Sequence, residues 1–195
     1  SSIDPSGGVF YPDSFEKYFS FNDLTHKGAL TGIRVEGPTN SVDQRIKRLS
    51  KELDLLENEY SVLDVEQSNI FWKKTKNLEV FSNTEKNLLR VVVPVSETLN
   101  FLQKLKNVDL SYFLDWGGSL IWLELNDISI KILNEIKDIT KDHNGYFTLI
   151  KVEEDMKAAA DIFTIDPIKY KISEKIKKSF DPKRIFNPGK MYTGI

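Results

Sequence analysis

Cysteine is absent from this 195-residue sequence. Its absence excludes disulfides, thiolate metal sites, cysteine nucleophiles and iron–sulfur ligation within the chain. Histidine is scarce, with only His26 and His143. His143, in "KDHNG", reads as a cap on the end of a helix, where the dipole favours it, and His26 has no partner at metal-ligand spacing. A transition-metal site would then rest on carboxylates alone, and the "EED" at 153–155 reads as a solvated loop face, so no metal site is expected. No apolar run approaches the roughly 18 residues of a membrane span. The opening "SSIDPSGGVFYPDS" has neither the basic nor the apolar region of a secretory leader, which gives a cytoplasmic reading. There is no initiating Met, so a longer natural chain is expected. Excess charge is lacking too: 27 basic residues face 29 acidic ones at a pI near 5.8. That balance gives no field to gather nucleic acid, even with Tyr112 and Trp122 available as stacking rings. Phosphate-binding loops are missing, since there is neither GxGxxG nor a Walker lysine loop, and "WGG" at 116–118 falls inside a hairpin.

What is present suffices for one core and a small second one, with 40% hydrophobic residues. Residues 1–27 carry Phe10, Tyr11, Phe15, Tyr18, Phe19 and Phe21 at spacings too irregular for a strand or a clean helix. They read as an aromatic lead-in, with one domain over 28–195. A β–α pair comes next, from "GALTGIRVEG" and a capped "TNSVDQRIKRLSKELD". Then "EQSNIFWKKTKNLEVF" suggests a short helix packing through Ile70, Phe71 and Trp72. From Leu88 to Val152 the order is β-α-β-β-α-β. "LLRVVVP" is a strand, "SETLNFLQKL" a helix capped by Ser96, and "DLSYFLDWGGSLIWLEL" two strands around a Gly-Gly turn. "DISIKILNEIKDITKDHNG" is a long helix closed by Gly145, and "YFTLIKV" a last strand. This is the ferredoxin-like α+β unit, an antiparallel sheet with helices on one face. The N-terminal β–α pair should extend the sheet, and Leu99, Leu102, Ile132 and Ile136 should face it. "DPIKYKISEKIKKSF" is a terminal helix begun by Asp166 and Pro167 and ended before Asp181-Pro182.

Two segments stand out. In "FLDWGGSLIWLEL", Trp116 lies at a hairpin tip where Gly117 and Gly118 can take positive φ and admit another surface. In "FDPKRIFNPGKMY", Pro188 and Gly189 form a turn that sets Asn187 and Lys190 in space, with Phe180, Ile185 and Phe186 as its anchors. Read from the residues alone, this tail either clamps the domain's own surface or contacts a cofactor or a second domain.

The tail resembles the C-terminal signature of FAD-linked oxidases of the vanillyl-alcohol-oxidase type: a terminal helix, Phe-Asp-Pro, an Ile, and Asn-Pro-Gly-Lys. "LDWGGSLIWLEL" is similar to a hairpin in the FAD-binding subunit of bacterial glycolate oxidase. The resemblance runs from about Gly28 to Tyr192 and implies a C-terminal cap domain of an FAD-dependent 2-hydroxy-acid oxidase or dehydrogenase subunit. It implies FAD as cofactor of the full-length protein, held by an N-terminal domain absent from this chain, so the chain alone should carry none. Asp115, Trp116, Gly117, Asn187 and Lys190 become the cofactor-contacting candidates. No catalytic residue is assigned, because the His-rich metal motif of the catalytic relatives has no counterpart here and the isolated domain should be inactive. Further implied partners are a second flavin subunit and an iron–sulfur subunit, with the complex cytoplasmic and peripheral to the inner membrane. The alternative is a stand-alone ferredoxin-like module that binds a small ligand or assembles through its sheet edge.

Overall fold

The computed structural model describes residues 3–18, 28–54, 60–81, 87–152, 156, 162–164 and 166–189. Phe19, Phe21, His26, the 153–155 carboxylates and Lys190 lie outside them. The described residues form six strands: β1 (Gly7–Tyr11), β2 (Leu30–Arg34), β3 (Asn87–Val92), β4 (Leu110–Asp115), β5 (Leu120–Leu125) and β6 (Tyr146–Lys151). Among the described residues there are five α-helices: α1 (Thr39–Glu52), α2 (Val65–Lys76), α3 (Thr98–Lys104), α4 (Ile130–Asp142) and α5 (Pro167–Phe180). The strand ladders β1–β2, β1–β4, β3–β5 and β3–β6 are all antiparallel, so the chain is α+β as expected. It divides into two compact units, Ser1–Glu85 with Tyr112–Gly118, and Lys86–Ser111 with Ser119–Ile195.

The first unit corrects the reading of the N-terminus, because the aromatic lead-in contains a strand. β1 pairs along its whole length with β2, from Gly7 opposite Arg34 to Tyr11 opposite Leu30, and meets β4 at Phe10 and Leu114. Val9 and Tyr11 alternate inward and are buried. With only two inward positions and a Gly-Gly start, the alternation is too short to stand out in sequence. The rings then assemble on Tyr11. It stacks on Phe113 at 4.8 Å between centroids and meets Phe15 and Phe71 edge-on at 6.1 and 6.3 Å. Phe81 closes the cluster against Phe15 and Phe113. The buried Tyr11 hydroxyl donates to Thr75 Oγ1 at 2.9 Å, and Thr75 in turn donates to the Phe71 carbonyl. Burial pushes the Tyr11 phenol above its ordinary pKa. α2 starts on a capping box between Asp64 and Gln67 and buries Phe71 and Thr75, so Phe71 packs as expected. α1 has no side-chain cap, since Pro38 stands at its N-cap position.

In the second unit β3 lies between β5 and β6, the arrangement of a split β-α-β. Register places Leu89 opposite Leu123 and Leu149, and Val91 opposite Ile121 and Phe147. These six side chains share one buried face, on which α3 and α4 lie. The helices bury only part of the expected set. α3 buries Thr98, Phe101 and Leu105, while Leu99 is 70% exposed. α4 buries Leu133, Ile136 and Thr140, which bears out Ile136 and leaves Ile132 and Leu102 only half-buried. The difference at α3 has a local cause. Val95–Glu97 form a 3₁₀ turn, so the helix starts at Thr98 after Glu97, with no side-chain cap from Ser96. The tighter turn shifts the angular phase of the helix that grows from it. α4 is capped by Ser129 and ends on His143, whose Nδ1 lies 2.8 Å from the Ile139 carbonyl, in keeping with a capping role. The edge of β6 is extended by residues 162–164, through Leu149 N–H to the Ile162 carbonyl and Thr164 N–H to the Phe147 carbonyl.

Candidate functional site

Asp115, Trp116 and Gly117 lie in the first unit, where β4 ends in a left-handed turn over Trp116–Gly118. Three consecutive positive φ angles, +53° at Trp116, +65° at Gly117 and +100° at Gly118, reverse the chain. Gly117 and Gly118 hold theirs at no steric cost, whereas Trp116 is strained and is still 59% exposed. The Asp115 carboxylate accepts from the Trp116 N–H at 2.7 Å and pins the strained residue. Partial burial moves the Asp115 carboxyl above its ordinary value, against the opposite pull of that hydrogen bond. The tip also touches β1 closely: a Cβ on Gly8 would stand 3.3 Å from Gly117 Cα. No atom comes within 4 Å of the Cβ position of Gly117 itself, so its outer side is open.

Asn187 lies in the second unit. The tail is organised by Asp181, a residue that in sequence reads only as a helix stop. The Asp181 side chain is buried and accepts from the backbone N–H of Ile185 and of Phe186, both at 2.9 Å. It also pairs with Lys177 Nζ at 2.7 Å, and Lys177 donates in addition to the Phe186 carbonyl. With Lys177 as the largest cause, these bonds pull the Asp181 carboxyl down to about 2. The signal that could have found it is a Lys four residues before an Asp, with a chain reversal directly after. The expected anchors do not anchor: Phe180, Ile185 and Phe186 are 84%, 67% and 67% exposed. Beyond this knot Asn187 takes φ +45° and Gly189 φ +70°, and the space beside Gly189 is open.

Both segments combine strained backbone, exposed aromatic or amide groups and glycines with open space beside them. The two segments lie in different units; an exposed indole such as Trp116 offers a stacking face, and an amide such as Asn187 can both donate and accept.

A separate cleft of about 410 Å³ in the second unit is lined by Tyr146, Thr148, Phe163, Lys169, Ile172 and Ser173, among others. Lys169 Nζ lies 4.5 Å from the Tyr146 ring centroid and 3.1 Å from its hydroxyl. Among the described residues no group of three or more His, Asp or Glu could hold a metal ion, and no helix is long and apolar enough to cross a membrane.

Residues 162–191 match the family model of FAD linked oxidases, C-terminal domain. No curated protein matches the chain. The matched stretch contains most of the region from α5 through the Asp181 knot to the Asn187 turn, and over these residues the chain is similar to the C-terminal domain of FAD linked oxidases.

Proposed function

We propose that this chain is the cap-forming C-terminal domain of an FAD-dependent 2-hydroxy-acid oxidase or dehydrogenase, glycolate being the substrate, and that it covers a flavin bound by another domain. The observation that carries the reading is the family match over residues 162–191, a stretch in which Phe180, Ile185 and Phe186 are exposed. In this reading residues 28–195 form the cap, and the 1–27 segment belongs with it through β1. When bound, the flavin accepts the hydride, and the cap positions its ring and excludes water. Asp115, Trp116 and Gly117 in the first unit, and Asn187 and Lys190 in the second, are each proposed as cofactor-contacting residues: an indole can shield a flavin ring, an amide can bond its polar edge, and an ammonium can balance the charge of the reduced cofactor. Electrons leave through a second flavin subunit and an iron–sulfur subunit, which agrees with the absence of cysteine. The complex is cytoplasmic and peripheral to the inner membrane.

The test is anaerobic flavin reduction in the assembled protein, with glycolate, lactate and a phenolic alcohol compared as reductants. Glycolate should bleach the flavin fastest. Reduction by the phenol alone would move the substrate to another class while leaving the cap role intact.

A further inference from the structure

α4 closes on the only Asn-Gly pair in the chain, Asn144–Gly145. Two backbone bonds wrap it: the Gly145 N–H donates to the Thr140 carbonyl at 2.8 Å, and the Asn144 N–H to the Lys141 carbonyl at 3.0 Å. This nested pair is the Schellman closure, in which the first residue past the cap takes a left-handed conformation. Asn144 takes it, with φ +54°, as asparagine does more readily than most residues. Gly145 follows because nothing larger fits. A Cβ there would stand 2.7 Å from both the Val92 carbonyl oxygen and Val93 Cγ1. Packing therefore demands glycine directly after an asparagine that is exposed to water.

That order carries its own chemistry. With no side chain on the glycine to hinder it, the Gly145 backbone nitrogen, once its proton has gone to hydroxide, can attack Cγ of Asn144. The new N–Cγ bond closes a five-membered imide, the Cγ–Nδ2 bond breaks, and the amide nitrogen takes a proton from water and leaves as ammonia. Water then opens the imide at either carbonyl, giving aspartate or, with the chain running through Cβ and Cγ, isoaspartate. In sum one water enters and one ammonia departs, with no change of oxidation state. The closed cap withholds both requirements. Thr140 holds the attacking N–H, and the left-handed well keeps ψ at about +30 to +60°, away from the rotation that brings the nitrogen onto Cγ. We infer that Asn144–Gly145 is a deamidation site gated by the C-cap of α4, silent while the cap is closed and converted when it opens locally. Conversion reaches the sheet, because Tyr146 and Phe147, next in the chain, pair with Val92 and Val91. Isoaspartate adds a methylene to a backbone with no slack at Gly145, and aspartate sets a negative charge at the negative end of the helix.

The experiment incubates the chain at mildly alkaline pH, folded and in urea, and follows every asparagine by peptide mapping, with isoaspartate scored by enzymatic isoaspartyl methylation. Hydrogen exchange and Tm are read on the folded protein before and after. In urea Asn144 should convert ahead of all other asparagines. Folded, it should convert at least about tenfold more slowly, and its rate should climb through sub-denaturing urea as the cap opens. Protein carrying isoaspartate at position 144 should lose amide protection at Gly145 and melt at a lower temperature. Asn144→Gly keeps the left-handed cap residue without strain, so this variant should not convert and should hold its Tm. Equal rates folded and in urea would overturn the gate. Another asparagine converting first in urea would overturn the site, and isoaspartate-bearing protein with wild-type protection and Tm would overturn the coupling to β6. An Asn144→Gly variant that unfolds would contradict the cap geometry on which the inference stands.

Discussion

Phe101 and Phe180 are the same side chain in opposite surroundings, and truncating each to Ala tests where the core ends. Phe101 is fully buried on α3, with its ring edge-on to His143 at 6.0 Å between centroids. Phe→Ala at such a site removes the transfer free energy and leaves a cavity, at about 3–5 kcal/mol. Against a domain stability of about 5–15 kcal/mol that is a large fraction. At about 2–4 °C per kcal/mol for a chain of this size it lowers Tm by roughly 6–20 °C. Phe180 ends α5 with 84% of its surface exposed. Its removal loses almost no buried area, and the higher helix propensity of Ala offsets what little is lost, so the change stays within about 0.5 kcal/mol. Circular dichroism melts at several protein concentrations measure both. A Phe180→Ala variant that loses stability like Phe101→Ala would mean that Phe180 is packed in the free chain, and the reasoning from its exposure at the end of α5 would fail. A silent Phe101→Ala would refute the assignment of the α3 face.

Three further outcomes are expected. Gly145→Ala should destabilise by about 1–3 kcal/mol or more, because its Cβ would stand 2.7 Å from the Val92 carbonyl oxygen; wild-type urea unfolding would contradict this. Asp181→Ala should remove hydrogen-exchange protection from the Ile185 and Phe186 amides. In the wild type that protection should hold above the ordinary carboxylate value of 3.8 and disappear as pH falls toward about 2, since a carboxyl with a lowered pKa stabilises only while charged. Asp115 has the opposite sign. Its pKa is raised, so the stability it permits declines as pH rises from 3.8 through its shifted value. Asp115→Asn should raise Tm at neutral pH and leave it unchanged in acid, and a lower neutral Tm would show the charge to be favourably paired.

The helices and strands of the second unit were legible because their signals are local: Ser129 caps α4, Asp166 and Pro167 open α5, and β-branched runs mark β3 and β6. The misses came from tertiary context. β1 exists because Val9 and Tyr11 find a distant aromatic cluster, which five residues of sequence do not announce. The phase of α3 depends on a preceding 3₁₀ turn. The tail motif was recognisable, but its anchor was misplaced: apolar Ile185 and Phe186 look like the residues that hold a turn down, whereas a buried Asp181 carboxylate does so through backbone N–H groups. Apolar residues are not buried by rule, and on α5 Ile168, Ile176 and Phe180 stay exposed although sequence spacing marks them as a face.

The flavin content of the chain, alone and together with the FAD-binding domain, tests the central claim most directly. Alone, the purified protein should be folded and colourless, since covering contacts without a pyrophosphate cradle do not offset the entropy of immobilising so large a ligand. Together, the pair should carry one FAD with its visible absorbance, and Asn187→Ala should lower retention without changing the Tm of the chain. Stoichiometric FAD on the chain alone, or an assembled pair whose flavin content and spectrum ignore Asn187 and Trp116, would contradict a cap over the flavin.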